Sequence, residues 1–136
     1  MKANELKVTD LMIGDWLKHY NGTPMQVTKI TTEHFACAEK GGLNCWEYNN
    51  KYEPIPLTPE ILKKNGILYE KQSYYYVIKD DKDLECTYYI QQILQEGWAI
   101  GVDIGAYDCS VFARIKYVHE LQHALKLCGI NKEIVV

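Results

Sequence analysis

Apolar and polar residues alternate over short distances in the N-terminal part of the chain, as they do in β-strands. Val27 and Ile30 lie among threonines, whose branched side chains also favour strands. The dipeptide Asn21-Gly22 interrupts the pattern and is typical of a tight turn. Several short strands joined by such turns predict a β-rich N-terminal half that forms a small SH3-like barrel.

A proline-rich connector over residues 52–59 comes after this half. Thr58 suits the N-cap of a helix and Pro59 its first position, so a short helix over residues 60–64 is predicted. Gly66 is the expected stop of that helix. The connector therefore separates the β-rich part from the C-terminal half of the chain.

The C-terminal half predicts a mixed sheet and a C-terminal helix, which makes the fold class α+β. The helix is expected over residues 116–128, because apolar residues recur there with a helical period and Gly129 can end it. Strands are expected over residues 69–78, 85–94, 98–104 and 110–115, with residues 133–136 as a possible edge strand.

Length and composition indicate one domain. The chain has 136 residues, of which 47% are hydrophobic and 24% charged, as in an ordinary globular protein. The β-rich part, residues 1–52, and the α+β part, residues 53–136, are each short for an independent core. We therefore expect a single compact domain over residues 1–136.

Charge and terminal sequence narrow the expected location and partners. The formal net charge is -3, which argues against nucleic-acid binding. That weaker alternative would need Lys18, Lys29 and Lys40 to cluster on one surface. The N-terminus lacks the apolar core of a signal peptide, and no apolar run has the length of a membrane span. A cytoplasmic protein with no membrane partner is the expectation.

The five cysteines do not form a recognisable framework. Their number is odd, and no C-x-x-C pair occurs, which argues against disulfides and a zinc ribbon. We expect them to be small hydrophobic residues in a reducing compartment. A catalytic thiol would need a basic partner, which the sequence does not reveal.

The segment His119-Glu120-Leu121-Gln122-His123 matches the H-E-x-x-H pattern of zinc hydrolases. On a helix, His119 and His123 share a face and can bind one zinc ion, and Glu120 can activate the water on that ion. An alternative hypothesis is therefore a zinc-dependent, metallopeptidase-like hydrolase with these three residues in its site.

The surroundings of this motif argue against catalysis. Leu121 and Leu125 lie on the opposite side of the helical wheel, so the two histidines are expected to face solvent. Catalytic zinc normally has three protein ligands, and Gly129 stands where an extended form of the motif has its third histidine. We therefore predict no catalytic residue and no cofactor, with zinc at this helix as the alternative.

Tyrosine is unusually frequent, with 11 copies. The clusters suit a tyrosine-lined sheet, because aromatic residues favour strands. They also suit a binding face, because tyrosine and tryptophan give large contact areas at low entropic cost. The candidate contact residues for a protein partner are Trp46, Tyr74, Tyr76 and Trp98.

Several segments together carry a resemblance that covers most of the chain. They are Met1-Lys2-Ala3-Asn4-Glu5-Leu6, Ile13-Gly14-Asp15-Trp16, Pro56-Leu57-Thr58-Pro59-Glu60-Ile61-Leu62, Asn65-Gly66 and Tyr117-Val118-His119-Glu120-Leu121-Gln122-His123. The chain resembles a group of small proteins encoded in Bacteroidetes genomes, often in prophage-like or mobile regions. No established activity carries over from that group. Its tail typically has glutamine and asparagine at the positions of Glu120 and His123, which implies that H-E-x-x-H is a local departure here.

These observations favour a non-enzymatic binding or adaptor domain of mobile-element origin. An unknown protein is the expected partner, and a homodimer is compatible with an open strand edge or an exposed tyrosine face.

Overall fold

A computed structural model describes residues 6–71, 75–78, 87–93, 97–103 and 109–136. These residues form two antiparallel five-stranded sheets and two α-helices, so the fold is α+β and rich in strands. The chain divides into two compact units: unit 1 is Met1–Pro56 with Tyr117–His119, and unit 2 is Leu57–Lys116 with Glu120–Val136. The predicted single domain stays a prediction.

Unit 1 contains a sheet whose strands succeed one another with short turns. Its strands are Trp16–His19 (β1), Pro24–Ile30 (β2), Phe35–Ala38 (β3), Cys45–Trp46 (β4) and Tyr52–Pro54 (β5). The strand order is β4-β3-β2-β1-β5, with every neighbouring pair antiparallel. The predicted turn between β1 and β2 is confirmed: Gly22 has a φ of 92°, and the Asn21 side chain accepts a hydrogen bond from Thr23 N.

The core of unit 1 reflects strand alternation. Leu17 and His19 of β1 are buried, whereas Trp16 and Lys18 beside them are half-buried. Opposite β1, β2 contributes Val27 to the core. The core also includes Leu11, Phe35, Cys37 and Tyr52.

The two edge strands of this sheet approach each other without backbone pairing. Among the described residues, β4 and β5 form no ladder, so the closed SH3-like barrel is not seen. The Tyr52 hydroxyl of β5 nevertheless donates a 3.1 Å hydrogen bond to the Cys45 carbonyl of β4. A single side chain therefore links opposite edges of the sheet, which requires the sheet to curl.

Unit 2 contains the second sheet, a meander in the order β10-β9-β8-β7-β6. Its strands are Leu68–Glu70 (β6), Tyr75–Ile78 (β7), Thr87–Ile93 (β8), Gly97–Asp103 (β9) and Cys109–Ile115 (β10). The helix Pro59–Lys64 (α1) precedes the sheet, and the helix Val118–Leu127 (α2) comes after it. Neither of these helices is long and apolar enough to cross a membrane.

Local signals set one end of each helix as expected. Thr58 Oγ1 accepts a hydrogen bond from Ile61 N at the start of α1, and Pro59 is its first residue. At the end of α2, Gly129 has a φ of 71° and Ile130 N donates to Leu125 O, the pattern of a Schellman cap. Capping interactions between near neighbours therefore define where α1 begins and where α2 ends.

Two strand predictions in this unit are wrong. Residues 69–78 were expected to form one strand, but β6 and β7 are separate and pair with each other as antiparallel neighbours. Residues 133–136 were expected as an edge strand, but they form none. Instead, the Asn65 side chain accepts a hydrogen bond from Val135 N and donates one to Val135 O. One amide side chain occupies the backbone groups that a neighbouring strand would use.

Helix α2 offers a matched test of its buried side. Leu121 has no exposed surface, whereas Leu127 is 87% exposed on the same helix. We expect Leu121→Ala to lower the free energy of unfolding by about 2–5 kcal/mol, because it removes buried methyl groups and leaves a cavity. Leu127→Ala should change it by less than about 0.5 kcal/mol. Urea unfolding of both variants, followed by circular dichroism, measures the difference; equal losses would contradict the burial of Leu121.

Candidate functional site

A groove on unit 1 is bordered by exposed aromatic rings. Its volume is about 590 Å³. Its lining residues come from the β2–β3 turn, from β4 and from the segment that leads to β5; they are Thr31, His34, Trp46, Glu47, Tyr48 and Lys51. The groove is therefore built where the outer strands of one sheet come together.

Trp46 and Tyr48 leave much of their surface open to solvent. Trp46 is 50% exposed and Tyr48 is 76% exposed. Trp46 belongs to β4, an edge strand that pairs only with β3 among the described strands. Such large aromatic surfaces are typical of binding sites, because water leaves them readily and their rings have few rotamers to lose.

Polar side chains at the groove have both signs of charge. Glu47 and Lys51 line it together, and the Lys51 ammonium lies 5.2 Å from the centroid of the Tyr20 ring. Neither an acidic nor a basic ligand is favoured by this balance. The aromatic rings are therefore the dominant chemical feature of the groove.

Glu47 also belongs to a cluster of potential metal ligands. His19 Nε2 lies 2.8 Å from Glu47 Oε2, and the Cys45 thiol donates to Glu47 Oε1 over 3.6 Å. One ligand atom from each of the three residues lies within 4.8 Å of the others. His19, on a different strand, therefore lies close to both Cys45 and Glu47.

The sequence could not identify this cluster because its members are far apart along the chain. His19 and Glu47 are separated by 28 residues. Only the Cys45-x-Glu47 spacing carried a signal, since alternate residues of an extended segment project to the same side. That signal is common in strands and does not by itself indicate a site.

A second thiol, Cys37, lies opposite Cys45 in the register of β3 and β4. It has no exposed surface, and burial raises the pKa of its thiol to about 12, with a further contribution from Cys45. Burial and neighbouring thiols raise the pKa of Tyr52 as well. Cys37 and Tyr52 are therefore neutral parts of the core at physiological pH.

The H-E-x-x-H segment forms the first turns of α2, but its first histidine is buried. His119 is only 6% exposed, and its ring stacks on Tyr117 with centroids 5.9 Å apart and planes 7° apart. The expectation that both histidines face solvent is therefore wrong for His119, while His123 is half-buried. A helical wheel gives the average orientation of the side chains along a helix. The first turn of α2 is instead held by a specific contact within unit 1, in which Val118 N donates a hydrogen bond to Ile55 O.

The glutamate of this motif has a backbone partner at the start of α2. Glu120 accepts a 3.0 Å hydrogen bond from Lys116 N and thereby satisfies a backbone group at the helix start. Within the part of the chain that the structure describes, no third histidine, cysteine or acidic residue joins His119 and His123 in a three-ligand group. The motif therefore has a structural explanation.

The predicted contact residues of unit 2 divide into different environments. Trp98 is 2% exposed, and its indole N–H donates to Leu57 O over 2.9 Å, so its side chain offers no surface to a partner. Tyr76 is half-buried, with its ring centroid 5.5 Å from that of Trp98 and 5.1 Å from that of Tyr69. Tyr74 lies outside the described residues. Of the three candidates that the structure describes, Trp46 is the one with a widely exposed ring.

The nucleic-acid alternative depends on Lys18, Lys29 and Lys40, one of which lies beside a carboxylate. Lys18 Nζ lies 3.2 Å from a Glu53 carboxylate oxygen, which reduces its positive field. Lys29 and Lys40 are exposed. This pairing gives no support to a basic surface.

The thiol of Cys37 in β3 should be unreactive while the protein is folded. At about pH 8, Cys37 should resist alkylation by iodoacetamide, because the thiolate is the nucleophile and this thiol is both buried and protonated. In urea it should react at the rate of an ordinary cysteine. Peptide mapping by mass spectrometry after timed labelling measures this, and labelling of Cys37 at one rate in both conditions would contradict its burial.

No protein-family model, no curated protein and no solved structure matches this chain. A functional proposal for this chain therefore rests on the chemistry of the groove and of the adjoining cluster.

Proposed function

We propose that this chain is a non-enzymatic binding module that holds an extended, proline-containing segment of a partner protein in the groove of unit 1. The single observation that carries the proposal is the exposure of Trp46 and Tyr48 at the rim of a groove of about 590 Å³. Exposed aromatic rings in a groove are the feature by which several domain types bind polyproline II segments.

The chemistry of such a ligand fits the groove. A polyproline II segment has no internal hydrogen bonds and is already extended, so it loses little conformational entropy on binding. Its proline rings are flat apolar surfaces that can pack on Trp46 and Tyr48. Because Glu47 and Lys51 have opposite charges, the affinity comes from apolar contact rather than from net charge.

An SH3-like arrangement of unit 1 is part of this proposal. Strand β1 pairs with β2 on one side and with β5 on the other, so the end of the unit returns to its beginning. The Tyr52–Cys45 hydrogen bond joins the two remaining edges without a backbone ladder. These contacts support a small, incompletely closed barrel, whose outer strands present the groove.

The expected partner is a cytoplasmic protein. A mobile-element origin, which the resemblance to proteins of Bacteroidetes genomes implies, is part of the same proposal.

A titration with an oligoproline peptide tests the proposal directly. We expect nuclear magnetic resonance shifts of the amide signals to concentrate on the groove. Trp46→Ala should weaken binding by tenfold or more, since a central aromatic contact contributes about 2 kcal/mol or more. Leu43→Ala is the matched control, because Leu43 is 94% exposed but does not line the groove.

The outcomes separate clearly. Loss of affinity in Trp46→Ala with unchanged affinity in Leu43→Ala supports the groove. Equal affinity in both variants and the unmodified protein, or shifts that map to unit 2, would show that the groove is not the binding site.

A further inference from the structure

The strands of unit 1 bring three different ligand atoms together beside the groove. His19 is the last residue of β1, Cys45 is the first residue of β4, and Glu47 comes directly after β4. His19 is 5% exposed, while the Glu47 side chain is 30% exposed. An ion at this position would therefore be held by one buried ligand and reached from solvent beside another.

We propose that His19, Cys45 and Glu47 bind one zinc ion. An imidazole nitrogen, a thiolate sulfur and a carboxylate oxygen are the three kinds of ligand that zinc takes in proteins. A hard cation such as magnesium or calcium would not favour sulfur and nitrogen. The ligand set therefore favours zinc over these hard cations.

The three ligand atoms lie within 4.8 Å of one another, near the separations of tetrahedral coordination. Zinc–ligand bonds of about 2.0–2.3 Å at tetrahedral angles put neighbouring ligand atoms about 3.3–3.8 Å apart. The observed separation is 3.6 Å for Cys45 Sγ to Glu47 Oε1 and 2.8 Å for His19 Nε2 to Glu47 Oε2. Because these two contacts use different oxygens of Glu47, entry of the ion replaces both hydrogen bonds and requires the three side chains to adjust around it.

Backbone pairing positions His19 and Cys45 before any ion binds, and Glu47 comes directly after β4. His19 pairs with Tyr52 in the register of β1 and β5, and their ring centroids are 5.3 Å apart. Cys45 is held from two directions, by its pairing with Cys37 and by the Tyr52 hydroxyl on its carbonyl. Little conformational entropy remains to be lost on binding.

Exchange of one His19 tautomer for the other costs little energy. Asn21 N lies 3.4 Å from Nδ1, at the limit of a hydrogen bond. Coordination through Nε2 puts the imidazole proton on Nδ1 and releases the thiol proton of Cys45 to solvent. On the imidazole, the hydrogen bond to Glu47 and this weak contact with Asn21 N are exchanged for a metal bond.

Metal content and cobalt spectroscopy test the site. The full chain is purified untagged and without a nickel column, dialysed against zinc, and measured by elemental mass spectrometry. We expect about one zinc ion per chain. Replacement by Co²⁺ should give the charge-transfer absorption of a cobalt–thiolate bond, which reports on sulfur in the coordination shell and not on folding.

Matched variants assign the ion to its ligands. Cys45→Ser should abolish the thiolate absorption, and Glu47→Gln should weaken zinc binding at least tenfold. Cys128→Ser and His123→Ala should change neither, because Cys128 and His123 lie outside the cluster. Circular dichroism confirms that each variant is folded.

Three results would overturn the proposal. They are the absence of stoichiometric zinc, a cobalt complex without thiolate absorption, and zinc that is lost with His123→Ala but kept with Cys45→Ser. The last result would instead assign the ion to helix α2. Peptide binding in the groove is measured separately, so either proposal can fail without the other.

Discussion

The hydrogen bond from the Tyr52 hydroxyl to the Cys45 carbonyl determines the shape of the N-terminal unit. Tyr52 is 2% exposed, and its ring lies against Phe35 and His19. A buried hydroxyl without a partner costs about 1–3 kcal/mol, so its position depends on an acceptor. The acceptor that it finds belongs to the opposite edge of the sheet. The curl that this bond requires places β4 beside β1, and both the groove and the ligand cluster depend on that curl.

Local chemistry made part of the fold predictable. Thr58 and Pro59 define the start of α1, and Gly129 defines the end of α2, because caps involve only neighbouring residues. The prediction of one strand over residues 69–78 was wrong because the polar residues 70–73 interrupt its strand-forming composition, and β6 and β7 pair as two antiparallel strands. The tail was mistaken for a strand because the sequence cannot show that the Asn65 amide takes its backbone hydrogen bonds.

The candidate site was predictable only in its aromatic part. Trp46 could be proposed from its residue type, but the same reasoning proposed Trp98, which is buried. Residues 98–101 are all buried in succession, so alternation gives no indication of which face Trp98 occupies. The burial of His119 and the meeting of His19 with Glu47 both depend on contacts between distant segments. No spacing in the sequence reports them.

Glu47 is common to the groove lining and to the cluster with His19 and Cys45. Its carboxylate uses one oxygen toward each of those two residues. Whatever neutralises this charge changes the electric field at the groove, and whatever fills the groove changes the solvation of the same charge. Thermodynamic linkage makes the effect reciprocal. The factor by which the first ligand changes the affinity for the second equals the factor by which the second changes the affinity for the first. One acidic side chain thus makes two neighbouring surfaces energetically dependent on each other.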